Sequence, residues 1–341
     1  MKKLFTLLSL LAVVHLSARI ISTAAHASVV TKTTLFSSSG AVGDTNRTDA
    51  NNMKQGFWIE RMGAYDWEGN YINGKREGTW VAYPVGTPMV AYVDNYRAGK
   101  KNGVSLGVDR AGYIFRQENF VDDSLDGMRR TFFTGGRLKT EEVYKNGKLN
   151  GYRKIFNNNN KVQEEGNFKD GVRDGTAKWY YTDGKINTES VYKEGNLEGK
   201  MITYYSNGNK ASEVIYRTNE MEGDYFEYYE SGKIKTKGTY VHSLEEGTWT
   251  TTYESGKIYE SGKYVKGKRE GAWSQASEDG KVAAKLKYKA GALTAGTPME
   301  AKPLPAPPTP PAQPQSATQT PNGQQPSQPA HDHNAPDHKP H

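Results

Sequence analysis

The sequence predicts an all-β protein: an elongated array of antiparallel β-hairpin repeats forming one open, twisted single sheet. Three observations carry this expectation. Tyr outnumbers Phe by 22 to 10 and Gly reaches 36 at a mean hydropathy of −0.80, so the chain has many rings and turns but few aliphatic side chains for a deep core. Aromatic residues recur at a near-constant spacing, and glycines recur in register with them, which is the mark of a repeat architecture.

The aromatic series runs Tyr71, Tyr96, Phe120, Tyr144, Phe168, Tyr192, Tyr216, Tyr240, Tyr264 and Tyr288, spaced by 25 and then by 24 eight times. Taking each as position zero, position seven is Gly in all nine complete units: Gly78, Gly103, Gly127, Gly151, Gly175, Gly199, Gly223, Gly247 and Gly271. Position sixteen is Gly in seven units, and Asn160 replaces it once. Asn is the other residue that tolerates a left-handed backbone, so this position is expected to need φ > 0.

Within a unit the first strand is expected from about position eight to thirteen, as in residues 176–181, rich in aromatic and β-branched side chains. Three loop residues ending in Gly follow, as in Thr182-Asp183-Gly184, the signature of a type I turn closed by a left-handed residue. That loop length sets position thirteen opposite seventeen and position twelve opposite eighteen. Position twelve is Phe132, Phe156, Tyr180, Tyr204 or Tyr228 in the middle units, and position eighteen is aliphatic in most of them. These two rows are expected to share a buried face, and strand parity adds the anchoring aromatic six residues further on. The opposite row pairs Phe133 with Arg137, Tyr181 with Lys185, Tyr229 with Lys233 and Tyr253 with Lys257, and Tyr205 shares its position. A ring beside a cation reads as a solvent-facing, ligand-binding row. No unit can bury a face alone, so neighbours must stack, at roughly 10 Å per repeat and on the order of 90 Å in all, with sheet twist curving the array.

Four segments follow. Residues 1–27 read as a signal peptide: Lys2 and Lys3, the apolar run from Leu4 to Val14, then small residues ending in Ala25-His26-Ala27, with Ala18 as an alternative cut site. Residues 28–55 form a linker, 56–296 hold nine 24-residue units plus partial ends, and 297–341 form a Pro-, Gln- and His-rich tail whose composition predicts disorder. The protein is therefore expected to be secreted or periplasmic. Removing Lys2, Lys3 and Arg19 with the signal lowers the formal charge from +7 to +4, which gives no warrant for nucleic-acid binding. Cysteine is absent, which excludes disulfides, a thiol nucleophile and a lipidated cysteine.

Units such as Tyr144-Lys145-Asn146-Gly147-Lys148-Leu149-Asn150-Gly151 and Tyr181-Thr182-Asp183-Gly184-Lys185 resemble the variant class of MORN repeats, and the resemblance covers residues 56–296. It implies an elongated hairpin array engaged in protein binding, scaffolding or membrane apposition; some bacterial relatives carry an antitoxin label. An antitoxin works in the cytosol, which this chain is expected to leave. Phospholipid binding needs a cationic surface or apolar insertion that an evenly mixed array does not plainly supply. Gly247-Thr248-Trp249 followed by Tyr253 is also similar to the hairpin repeats of cell-wall and glucan-binding modules, which are richer in Trp.

No enzyme chemistry is expected. His242 is the only histidine of the repeat region, and carboxylates such as Glu198, Glu222, Glu246 and Glu270 recur just before the repeat Gly, as turn residues do. In the tail, His331, His333, His338 and His341 with Asp332 and Asp337 could catch a transition metal weakly, but with no Cys and no fixed geometry a solvated low-complexity tail is the favoured reading, and no metal site or cofactor is expected. The expected function is a protein-binding module presenting the row Phe133, Tyr181, Tyr205, Tyr229 and Tyr253 with Lys185, Lys233 and Lys257. The alternative is a glycan- or peptidoglycan-binding module that uses the same rings as stacking platforms.

Overall fold

The computed structural model describes residues 45–300; the signal segment, residues 28–44 of the linker and the tail histidines lie outside them. Among the described residues there are 24 strands and no helix, from Arg47–Thr48 to Ala292–Ala295. The strands pair antiparallel in hairpin succession to make one open sheet. The array therefore begins inside the expected linker, since Arg47–Thr48 pairs with Lys54–Met62. It also extends past the expected tail boundary: Met299 packs against Trp273, Leu286 and Tyr288, and its N–H donates to Gln275 Oε1 at 2.8 Å.

The unit from Phe168 to Tyr192 shows how each hairpin is built. The outgoing strand Val172–Tyr180 and the return strand Ile186–Lys193 are joined by Thr182, Asp183 and Gly184. Gly184 N–H donates to Tyr181 O at 2.9 Å with Gly184 at φ +91°, and Asn160 at the equivalent site has φ +63°. The expected left-handed turn and the pairing Tyr180 with Ile186 are both present. The outgoing strand starts earlier than expected, because it runs through the position-seven glycine, held at φ +102° in Gly175. There the outgoing strand bulges against its partner: Gly166 faces Ala177, yet Phe168 faces Arg173.

A second tight turn links successive hairpins. Lys193 pairs with Asn196 around Glu194 and Gly195, both left-handed, which is a type I′ connection. A non-glycine residue at positive φ is strained. The carboxylate that precedes each repeat glycine braces it: Glu198, Glu222, Glu246 and Glu270 accept the backbone N–H of Thr218, His242, Lys266 and Ala290 at 2.7 to 2.9 Å.

The face assignment differs from expectation, for an identifiable reason. Tyr180 pairs with Ile186 but Trp179 pairs with Thr188, so position nineteen is an extra residue in a β-bulge, and the same shift recurs in the units around it. A single inserted residue reverses strand parity. The anchoring aromatic thus lies on the face opposite to position eighteen. One face carries Gly175, Ala177 and Trp179 against Tyr192, Ser190 and Thr188, and there Ala177, Trp179 and Tyr192 form a buried cluster. On the other face position eighteen, expected to be buried, becomes exposed toward the C-terminus, at 41% in Ile234, 49% in Ile258 and 59% in Val282.

The buried face is packed by rings laid on glycines. A Cβ on Gly69, Gly238 or Gly262 would overlap the indole of Trp80, Trp249 or Trp273, so these bare backbone sites are the floor on which the rings sit. Trp249 and Trp273 then make edge contacts with Tyr240, Tyr264 and Tyr288 at centroid distances of 5.1 to 6.0 Å.

Candidate interaction face

The tyrosines expected to meet solvent tie the repeats together instead. Tyr205, Tyr229 and Tyr253 are 8%, 5% and 8% exposed. The hydroxyls of Tyr181, Tyr205, Tyr229 and Tyr253 donate to Tyr204 O, Tyr228 O, Thr252 O and Ala276 O at 2.6 to 2.9 Å, each reaching into the next hairpin. Their cations do the same. Lys185, Lys233 and Lys257 donate through Nζ to Ser206 O, Glu254 O and Asp279 O at 2.6 to 2.8 Å. Phe133 is half-buried, with Lys139 rather than Arg137 over its ring at 5.7 Å. Of the row expected to recognise a ligand, Tyr205, Tyr229 and Tyr253 form a buried ladder while Lys185, Lys233 and Lys257 stay exposed at its edge; the bulge at position nineteen brings the anchoring aromatics onto the face these rings share.

That same face holds ion pairs under aromatic cover. Arg173 lies 5.1 to 5.6 Å from the ring centroids of Phe168, Trp179 and Tyr192. It bonds the buried Glu164, which also accepts from Arg153 at 2.6 Å. Burial pushes the Glu164 carboxyl upward, but hydrogen bonds from Arg173 and Arg153 more than offset it and hold the group below its ordinary value. Arg269 with Glu260, Trp273 and Tyr288 repeats the arrangement.

The accessible side chemistry lies on the opposite face. In the middle units position twenty-one is Glu141, Glu165, Glu189 and Glu213, and each carboxylate meets a cation: Arg130 at 2.7 Å, Lys154 at 3.3 Å, Lys178 at 3.2 Å, and for Glu213 both Lys200 and Lys210. Glu141 faces Arg130 on one side and Lys154 on the other, and Glu165 faces Lys154 and Lys178, so opposite charges alternate across successive strands. Tyrosines are threaded through this ladder. Tyr152 donates to Glu141 at 2.7 Å and Tyr180 to Glu165 at 2.6 Å. Burial, with Glu165 as acceptor, pushes the Tyr180 phenol well above its usual value, while the Glu165 carboxyl is pushed up by burial but held low by Tyr180 and Lys154. Tyr204 and Tyr228 continue the row, half-buried.

This arrangement offers rings, hydroxyls and paired charges on a fixed repeat. No cluster of three or more His, Asp or Glu that could hold a metal occurs among the described residues. The correlation that sequence reading missed is legible in hindsight: Gly69 with Trp80, Gly238 with Trp249 and Gly262 with Trp273 are each 11 residues apart. The bulge residue left no such mark, since position nineteen is Asn187, Ala211, Lys235 and Tyr259 in successive units.

Comparison with known proteins gives one informative match. Residues 149–170, 173–194, 197–217 and 221–242 match the family model for the MORN repeat variant. No curated protein matches. Among solved structures, similarity is found to a TarM mutant of S. aureus in complex with fondaparinux, alpha-GlcNAc-glycerol and UDP, at 16% identity and a TM-score of 0.21 over 28% of this chain and 19% of that one. The GtfA/B complex bound to UDP and GlcNAc gives 11% identity and a TM-score of 0.17 over 35% of this chain and 23% of that one. The chain thus covers under a quarter of either structure, and at such TM-scores the likeness carries no argument.

Proposed function

Residues 149–242 carry four consecutive MORN repeats of the variant class, a kind of repeat that serves as a protein-interaction module, and from this premise we propose that the protein is an exported, non-enzymatic scaffold. It binds a protein partner through the charged, tyrosine-bearing face. The observation that carries this reading is the alternation of Arg130, Glu141, Lys154, Glu165, Lys178 and Glu189 across successive strands with Tyr152 and Tyr180 between them. Such a pattern selects a complementary partner, because a shift by one strand sets like charges against each other. Half-exposed tyrosines supply rigid contact area at low entropic cost. Export rests on the pattern of residues 2–27.

The test uses the full mature chain, from residue 28, as bait against an envelope extract, beside cosedimentation with purified peptidoglycan. A protein captured by the wild type and lost with Tyr180→Ala, Tyr204→Ala and Tyr228→Ala combined supports the reading. Capture that survives this variant, or sedimentation with peptidoglycan that the same variant abolishes, rejects it in favour of another surface or of a glycan ligand.

A further inference from the structure

The charged face changes character toward the C-terminus, and two independent substitutions cause the change. At position twelve the rings Tyr180, Tyr204 and Tyr228 give way to Thr252 and Ala276. Ile258 and Val282, which pair with those two residues, lose the ring that covers position eighteen elsewhere and are the most exposed of their row. Two adjacent shallow grooves result, of about 380 and 520 Å³. The first is lined by Lys233, Ile234, Lys237 and Thr252, and the second by Lys257, Ile258, Ser274, Ala276 and Val282.

At position twenty-one the acids also stop. The series Glu141, Glu165, Glu189, Glu213 continues as Lys237, Ser261 and Lys285. Lys237, Lys263, Lys285 and Lys287 are exposed, and none of them forms a salt bridge among the described residues. No carboxylate lines either groove. Apolar side chains and unneutralised cations therefore coincide on one strip that crosses the last hairpins.

Resting on the reading of this face as the partner-binding one, we infer that the strip of Ile234, Ile258 and Val282 flanked by Lys237 and Lys285 docks an extended acidic segment of a partner protein bearing an apolar residue at every third position. Charge selects the acid. Geometry selects the period: the anchors recur once per hairpin, two strands at about 4.8 Å each or roughly 9.6 Å, and an extended polyproline-II-type segment advances about 3.1 Å per residue, roughly 9.3 Å per three residues. Each apolar side chain of the segment then drops into a groove or beside an anchor, while the two residues between place carboxylates toward the lysines. Ile234, Ile258 and Val282 stand exposed beside shallow grooves that can receive side chains, and because exposed apolar groups next to cations could also insert into a lipid surface, vesicles are included as the discriminating control.

The probe is a fluorescein-labelled peptide of repeated Ile-Glu-Glu triplets long enough to reach all three anchors, titrated by anisotropy against the full mature chain. Controls are Ile-Lys-Lys and Gly-Glu-Glu peptides and phosphatidylglycerol vesicles. Binding of the Ile-Glu-Glu peptide at least ~10-fold tighter than either control peptide is expected. That binding is expected to be lost in Thr252→Tyr with Ala276→Tyr, which puts rings back where Tyr180 and Tyr204 stand, and to weaken ~10-fold in Lys237→Glu with Lys285→Glu, a surface change that keeps the test open if the ring variant does not fold. Equal binding of the three peptides, an unchanged affinity in both variants, or vesicle binding in place of peptide binding overturns the inference. If the peptides discriminate but no protein is captured in the bait experiment, the strip stands and the broader reading falls; if a partner is captured and the peptides do not discriminate, only the strip falls.

Discussion

At the scale of single residues, the fold depends on glycines of two kinds. Gly184 is needed for its backbone, since φ +91° strains any β-branched residue. Gly184→Val should cost more than about 1 kcal/mol in a urea melt, whereas Lys185→Ala, removing one exposed contact to Ser206 O, should cost under about 1 kcal/mol. Gly262 is needed for its missing side chain, because Trp273 occupies that space. Gly262→Ala should cost roughly 1–3 kcal/mol by overpacking, and a melt unchanged from wild type would mean that the indole is not seated there. Ionisable residues give a pH signature. The Glu164 carboxyl is held below its unfolded value, so its contribution is present above about pH 4.3 and is lost as pH falls through the lower folded value. The urea midpoint should fall with pH in that acid window, and less steeply in Glu164→Gln, which starts less stable because Arg153 and Arg173 lose their shared charge partner. Parallel pH profiles would assign the acid sensitivity elsewhere.

At the scale of the hairpin, the sequence showed the period, the turn and the pairing, because each is set by local chemistry: Asn160 in place of Gly marks φ > 0, and a three-residue loop leaves one register. It did not show the faces. A bulge at position nineteen changes parity without requiring any particular residue, so the anchoring aromatics lie on the face of Tyr181 rather than that of Tyr180, although the pairing of Tyr180 with Ile186 is as expected. The type I′ connections were equally silent, since Glu194, Lys266 and Ala290 are unremarkable until the carboxylate twenty residues back is seen to hold their N–H. The ladder of tyrosine hydroxyls is the element-level prediction. Tyr229→Phe keeps the buried ring and removes one bond to Thr252 O, so it should lower stability by about 1 kcal/mol. Amide hydrogen exchange should quicken first in the hairpin that follows; a uniform change across the array would show that the hydroxyl does not link neighbours.

At the scale of the whole molecule, the array is a chain of nearest-neighbour interfaces, and among the described residues neither face of the sheet is covered by a second layer, so its ends are the weakest points. Met299 caps the last ring cluster. Truncation after residue 300 should leave the thermal midpoint within error, and truncation after residue 296 should lower it; equal midpoints would show that Met299 contributes nothing to the last hairpin. The central claim is that one face of the sheet is the array's own core and the other is what it presents. Urea melts of two triple variants test this most directly. Combining Tyr205→Ala, Tyr229→Ala and Tyr253→Ala removes buried rings that bond across repeats, and by the scale of roughly 3–5 kcal/mol per buried aromatic should unfold much of the array. Combining Tyr180→Ala, Tyr204→Ala and Tyr228→Ala removes half-buried rings from the charged face and should leave a cooperative transition at a moderately lower midpoint. If the second set unfolds the protein and the first does not, the faces are reversed and the account is wrong.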